Sequence, residues 1–400
     1  MKVCIVNSYY YPDIIGGAEI SIQTLAENLI KKGIKVTIIC LGKIEEKEKI
    51  NGVDVYRIIP NNLYNPLGSK NNSKIKKMGY RILDIYNALN YKKLRQRLKE
   101  INPDIVHVNN IFGISPVIWR VCKDNNIKCI HTIRDCYLMC PKINLINSRK
   151  QLCINKSILC KTYSKLNQNL SREVDYVTAP SKFILDLFYK NKFFKNVEGE
   201  YIYNSIDVSN NTQLYLNEKQ ERISDKINII FLGALDTHKG LEVLLEAFSK
   251  TENDNLNLHI AGKGRLEFLV RENMKKDSRI KYHGFVEKED KENLLRLGDI
   301  LIIPSICYEA FGRVVIDAYK YSMPVIGTKI GGITEIIQNE KTGLLIEPNN
   351  VEDIKNSLIY FSDRGNIKKM QINCIETLEK FLVDKQIDSF IRVYKKVLNT

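Results

Sequence analysis

The sequence contains no apolar stretch of eighteen residues, which excludes a conventional membrane-spanning helix. It has no Cys-x-x-Cys pair, no short internal repeat and no low-complexity tract, so zinc knuckles and solenoids are disfavoured from the start. The opening run Met1-Lys2-Val3-Cys4-Ile5-Val6-Asn7 reads as a first strand, too short for a signal-peptide core and lacking a small-residue cleavage site. A cytoplasmic location is therefore expected. No basic–aromatic stacking motif accompanies the lysines, which argues against nucleic acid as the partner.

What is present fits a chain of two domains. The chain has 400 residues, 44% apolar and 27% charged, enough for two cores of ordinary size. Ten cysteines in a chain without a signal read as thiols. Cys4, Cys40, Cys122, Cys129, Cys307 and Cys374 sit in apolar segments and are expected in the core. Cys136, Cys140, Cys153 and Cys160 are spaced by three, twelve and six residues. Four thiolates suit zinc, but without a Cys-x-x-Cys knuckle they read better as reduced thiols in an insertion.

The net charge of +15 is uneven. Between 70 and 100, Lys70, Lys74, Lys76, Lys77, Arg81, Lys92, Lys93, Arg95, Arg97 and Lys99 face only Asp84 and Glu100. Leu83, Tyr86, Leu89, Asn90, Leu94 and Leu98 recur there at helical spacing. This pattern predicts a basic amphipathic helix able to meet an anionic membrane surface.

Continuous apolar runs alternate with helical stripes. Strands are predicted near 3–7, 35–40, 53–59, 104–108, 127–133 and 174–178, and again near 227–233, 256–261, 279–283, 299–303, 324–327 and 343–346. Runs without alternation indicate parallel strands buried on both faces. Ile22, Leu25, Ala26, Leu29 and Ile30 form one helix stripe closed by Gly33, and Leu241, Leu244, Leu245 and Phe248 form another. Repeated βα units imply two doubly wound sheets. Asn204–Asp225 is polar and reads as the linker. The predicted domains are 1–205 and 206–379, with a helix over about 380–400, striped by Ile387, Phe390, Ile391, Tyr394 and Leu398, packing back on the first.

In open α/β sheets ligands bind beyond the carboxyl ends of strands, so strand-end loops carry the chemistry. Gly16 and Gly17 open a helix and offer amides to an anion. Phe231–Gly240 leaves a strand with Lys239 at the next helix start, a point charge for a diphosphate. Leu301–Ala318 presents Glu309 at the mouth of a loop and Asp317 inside the following helix. A carboxylate for a polyol, placed beside amides for a phosphate, suits a nucleotide-sugar.

These motifs, in order, resemble the retaining glycosyltransferases with the GT-B fold, family 4 by sequence. The resemblance is carried by the Gly16-Gly17 loop, Asp104-Ile105-Val106-His107, Gly233…Lys239-Gly240 and Ala261-Gly262-Lys263-Gly264. It continues through His283-Gly284-Phe285-Val286, Asp299…Pro304-Ser305, Glu309…Asp317 and Gly331-Gly332-Ile333-Thr334-Glu335. It implies an α/β GT-B fold, with two Rossmann-like domains across a cleft, the first acceptor-side and the second donor-binding.

By resemblance, Glu309 contacts the donor sugar and Asp317, where the family usually has Glu, holds the ribose. Donor contacts are also expected from Gly16, Gly17, Gly233, Lys239, Phe285, Phe311, Gly312 and Arg313. Ala234 stands where the family has an arginine, a loss Arg313 compensates. Arg134 stands where relatives carry a catalytic histidine, with His131 three residues earlier in the core. Catalysis is thus assigned to Glu309, Arg134 and Lys239. The donor is a UDP- or GDP-sugar, the acceptor a saccharide or lipid-linked glycan, and no resident cofactor or metal is expected, since no Asp-x-Asp motif stands at a strand end. A peripheral position on the inner membrane face follows. A nucleotide-sugar epimerase and a catalytically silent binding protein are the competing readings, the second suggested by Ala234 and Asp317.

Overall fold

Strands form where β-rich apolar runs let both faces be buried. A computed structural model describes residues 1–68, 72–147, 149–208, 212–222 and 224–399; Lys70 lies outside them. The chain divides into two units, one of Met1–Leu145, Ile154–Ser205 and Val383–Thr400, the other of Ile146–Cys153 and Ile206–Leu382. Residues 146–153 thus depart from chain order. Ile146 bridges Leu152, and Lys150 pairs with Glu242 at 2.7 Å.

The first unit holds β1 (Lys2–Val6), β2 (Lys35–Leu41), β3 (Glu46–Ile50), β4 (Val53–Ile58), β5 (Ile105–Val108), β6 (Lys128–Thr132), β7 (Tyr176–Ala179) and β8 (Glu198–Tyr201). Their order is β3-β4-β2-β1-β5-β6-β7-β8, all parallel except β3 against β4. β3 and β8 were not expected. They are the edge strands, reading Glu-Lys-Glu-Lys-Ile and Glu-Gly-Glu-Tyr, and charged edges carry no apolar run.

Helix α1 (Gly17–Lys31) buries Ile22, Leu25, Ala26 and Leu29. The helix Val383–Leu398 completes that core with Ile387, Phe390, Val393, Tyr394 and Val397. Leu398, expected on its apolar stripe, is exposed instead. The Tyr394 hydroxyl meets His107 Nδ1 at 2.7 Å, and Gln386 bonds Ser205 and Tyr203.

The basic segment is two helices, α2 (Lys74–Ile85) and α3 (Ala88–Ile101), broken at Asn87, whose side chain caps α3. The single stripe expected there is therefore corrected. Leu94 and Leu98 are core residues, while Leu83, Tyr86 and Leu89 are exposed. The remaining helices of this unit are α4 (Val117–Asp124), α5 (Ile158–Leu170) and α6 (Lys182–Lys190).

Asp84 ends α2 inside the unit. Its Oδ2 accepts from the Gly113 amide at 2.9 Å and the Tyr137 hydroxyl at 2.5 Å. Burial outweighs the hydrogen bonds of Tyr137, Gly113 and Asn62 and pushes its carboxyl up to about 7. The folded chain keeps this proton where the unfolded chain has lost it, so stability falls as pH rises from the ordinary carboxylate range to about 7. Asp84→Asn preserves an acceptor and cannot ionise. It should melt about 5 °C above the parent at pH 8 and show a smaller gain at pH 5, by scanning calorimetry. An equal shift at both values would remove Asp84 as the titrating group.

The second unit holds β9 (Ile227–Leu232), β10 (Leu256–Ala261), β11 (Ile280–Tyr282), β12 (Ile300–Ile303), β13 (Val325–Thr328) and β14 (Gly343–Ile346), parallel throughout in the order β11-β10-β9-β12-β13-β14. Between and beside them run α7 (Thr212–Gln220), α8 (Leu241–Ser249), α9 (Glu267–Lys276), α10 (Lys288–Leu297) and α11 (Arg313–Lys320). The expected linker therefore contains a helix. α7 buries Tyr215, Leu216 and Lys219, whose ammonium donates to the carbonyls of Leu295 and Gly298. A lysine in the buried face hid the stripe. Asp299, fully buried before β12, accepts from Arg222 and Arg364, each at 3.1 Å, and from the Asn228 amide at 2.9 Å.

Candidate functional site

The second sheet reverses its winding at β9, which has β10 on one side and β12 on the other. Ligands of such sheets bind beyond the carboxyl ends at that reversal. The loops leaving β9 and β12 meet there backbone to backbone. Gly240 has φ +71°, and a Cβ on it would lie 1.8 Å from the Pro304 carbonyl oxygen. The Ile306 amide donates to the His238 carbonyl at 3.0 Å. Behind them, Gly331 (φ +73°) leaves no room for a Cβ, which would come within 2.6 Å of the Glu309 main chain. The Gly332 amide donates to the Glu309 carbonyl at 2.7 Å, and Thr328 Oγ1 to the Ser305 carbonyl at 2.8 Å. Three strand-end loops thus fix the turn that carries Glu309.

Two loops distant in sequence bring opposite charges together. Lys239 Nζ donates to Glu309 Oε1 at 2.5 Å, and Ser305 Oγ donates to the same oxygen at 2.7 Å. Burial alone would raise the Glu309 carboxyl. The Lys239 charge and the two hydrogen bonds overrule it and hold the carboxyl below its ordinary value. Burial likewise pulls Lys239 down, and Glu309 more than restores it. Both groups are charged at neutral pH.

Asp317 is buried on α11 and pairs with Lys291 of α10 at 2.7 Å. Against burial, Lys291 and then Arg313 keep it ionised. Gly312 precedes the helix with φ +89°. Phe311 packs edge-on against Phe381, with centroids 5.8 Å apart, so its ring is core and only its main chain can meet a ligand. Gly233 follows β9, beside exposed Ala234. Phe285 is exposed, with the Lys263 ammonium 4.1 Å from its ring centroid.

In the first unit, Gly16 caps α1 and Gly17 begins it. The Gly16 amide is occupied by Glu19 Oε2 at 2.8 Å, so the protein's own carboxylate fills the place expected for an anion. Arg134 follows β6 and donates to Asn109 Oδ1 at 3.0 Å and Asn204 Oδ1 at 2.6 Å. Asp135 beside it accepts from the Tyr137 amide at 2.8 Å, and burial raises its carboxyl to about 6. Burial raises Glu19 too, with the Arg134 charge opposing. His131 stacks on Phe194, centroids 5.5 Å apart, and is a neutral core residue, since burial lowers it to about 3.

Among the described residues no three His, Cys, Asp or Glu side chains group as metal ligands. Cys136 and Cys140 are buried in the first unit, Cys160 is half-buried there, and Cys153 belongs to the second. The six cysteines expected in the core are buried.

Sequence reasoning missed Lys291, Ser305, Glu19, Asp135 and the asparagines that hold Arg134. Ser305 had a signal, standing four residues before Glu309 at a strand end. Lys291 had none, being one charge among many in Lys288–Leu297.

Two family models match in succession, Glycosyltransferase Family 4 over residues 15–210 and Glycosyl transferases group 1 over residues 216–380. An uncharacterized 42.6 kDa protein in the cps region of Klebsiella pneumoniae is 29% identical, over 99% of this chain and 100% of its own. The O-antigen chain mannosyltransferase C of Escherichia coli is 23% identical over 100% of both chains. The solved structure of Anabaena HepE in complex with UDP-glucose superposes with a TM-score of 0.72 at 16% identity, covering 99% of this chain and 100% of that one. With two parallel doubly wound units, paired strand-end charges and family matches over nearly its whole length, the chain belongs to the GT-B glycosyltransferases of family 4.

Proposed function

We propose that the chain moves a sugar from a UDP- or GDP-sugar to a saccharide or lipid-linked acceptor, with retained anomeric configuration and without a resident metal. The Lys239–Glu309–Ser305 cluster at the reversal of the second sheet carries this reading. The second unit is the donor side and the first the acceptor side. Lys239, Arg313 and the amides at the start of α11 supply positive charge to the diphosphate. Glu309 takes the hydroxyls of the donor sugar, and Asp317 those of the ribose. The bond from the anomeric carbon to the phosphate breaks as the bond to the acceptor oxygen forms, and the departing phosphate takes the acceptor's proton. Arg134, held by Asn109 and Asn204, supplies positive charge that stabilises the leaving diphosphate.

A glycan acceptor is supported by the name of the Escherichia coli relative. No helix among the described residues is long and apolar enough to cross a membrane. We propose that the reaction takes place at the inner face of the cytoplasmic membrane, in assembly of a surface polysaccharide.

Turnover should survive exhaustive EDTA treatment, and proton NMR of the first product should give the donor's anomeric configuration. Loss restored only by Mg²⁺ or Mn²⁺, or an inverted product, refutes the mechanism. Asp317→Ala should raise the donor KM about tenfold with little change in kcat, because ribose contacts exist in ground and transition states alike. Asp317→Glu should stay within about threefold of the parent. If both variants are equally impaired in initial-rate kinetics, the ribose binds elsewhere.

A further inference from the structure

Two long stretches of the sequence contain no acidic residue, 55–83 and 136–172. α2, apart from its buried Asp84 and Ile85, lies in the first and α5 in the second, and the two helices pack together. α5 is anchored by its inner face. The Tyr163 hydroxyl donates to the Tyr137 carbonyl at 2.9 Å, and Asn167 to the Leu138 carbonyl at 3.2 Å. Its first turn presents Ile158, 81% exposed, with Leu159, and Ile154 just before it is 88% exposed. α2 presents Ile75, 85% exposed, then Met78 and Ile82, spaced as one helical stripe.

Single exposed aliphatics are ordinary, but a cluster this apolar on a soluble surface marks a contact. Lys76, Lys77, Lys161 and Lys165 stand exposed among them. α3 exposes one large aliphatic, Leu89, rather than a cluster, since Leu94 and Leu98 are buried, and Lys93 and Arg97 pair with Glu45.

We propose that α2 and α5 together form the surface by which the protein sits on an anionic lipid bilayer. The aliphatic side chains enter the acyl boundary and the lysines meet the phosphates. The proposal rests on the membrane location proposed above and replaces the whole 70–100 segment by a helix pair, half of it from another part of the chain. A soluble polyanion would satisfy the lysines but leave Ile75, Ile154 and Ile158 in water. A second copy would bring together two acid-free surfaces on chains of net charge +15.

The test is sedimentation of the full chain with vesicles of phosphatidylcholine, alone or mixed with phosphatidylglycerol. Three variants accompany it: Ile158→Gln with Leu159→Gln, Ile75→Gln with Ile82→Gln, and Lys92→Gln with Arg95→Gln and Lys99→Gln on α3. The parent should bind only the anionic vesicles and release in high salt. The α5 and α2 variants should each bind about tenfold more weakly with unchanged melting temperature, and the α3 variant within about twofold. If the parent binds and the α5 variant binds equally well, the membrane location stands and this surface is wrong. No binding by the parent overturns both. If the α5 substitutions instead dissolve a dimer seen without lipid, the surface joins copies of the chain and the proposal fails.

Discussion

Glu309→Gln should leave a folded protein whose turnover has fallen about a hundredfold, a loss of about 3 kcal/mol of transition-state stabilisation. Gln keeps the shape and an acceptor for Ser305, so the 305–309 turn should hold. What disappears is the negative charge. Lys239 then loses the partner that offsets its burial, and its ammonium becomes easier to deprotonate just where a diphosphate needs it. Ser305→Ala removes one hydrogen bond and no charge, and should cost far less. The pH dependence has a definite sign. The Glu309 carboxyl is lowered and the Lys239 ammonium raised, so the pair stays charged from below the ordinary carboxylate range to above the ordinary lysine range. Rates between pH 6 and 9 should not vary through this pair. Initial rates on saturating donor, beside melting curves, decide the matter; turnover within a few-fold of the parent removes Glu309 from catalysis.

Asp299→Ala should destabilise the second unit by about 3 kcal/mol, the low end for breaking a buried ion pair. The carboxylate is fully buried and joins three chain segments: Arg222 after α7, Arg364 at the start of the helix Arg364–Thr377, and the Asn228 amide of β9. The arginines are only partly buried, so water recovers some of the loss. For a unit of this size the melting temperature should fall roughly 10 °C. Asp299→Asn, which keeps an acceptor, should fall less. A transition within about 2 °C of the parent would reduce the triad to a surface ornament.

The parts of the fold that were legible in the sequence are those decided by desolvation. Continuous runs such as Ile229–Leu232 and Leu301–Ile303 have one low-energy use, a strand covered on both faces. The edge strands β3 and β8 escaped because charge is what protects an edge. α7 escaped because Lys219 spends its charge on two carbonyls inside the unit, an arrangement no hydropathy pattern announces. The candidate site divided the same way. Glu309 and Lys239 are visible as strand-end residues seventy positions apart, but their contact depends on Gly240 meeting Pro304. Lys291 cannot be singled out in a chain holding 61 basic residues. The Glu19 bond to Gly16 was hidden for another reason: a helix start that attracts anions attracts the carboxylate at its own third position first.

The helix Val383–Leu398 closes a core begun by α1. The unit whose synthesis starts first is therefore finished last. Until residues 383–398 leave the ribosome, the seam of Ile22, Leu25 and Leu29 has no cover, and the intervening unit can fold while the earlier one waits. A fragment cut at Ser205 would carry that open seam permanently. Dissecting this protein into independently expressed halves thus calls for a circular permutation that places 383–398 ahead of residue 1, with Gln386 again within reach of Ser205 and Tyr203.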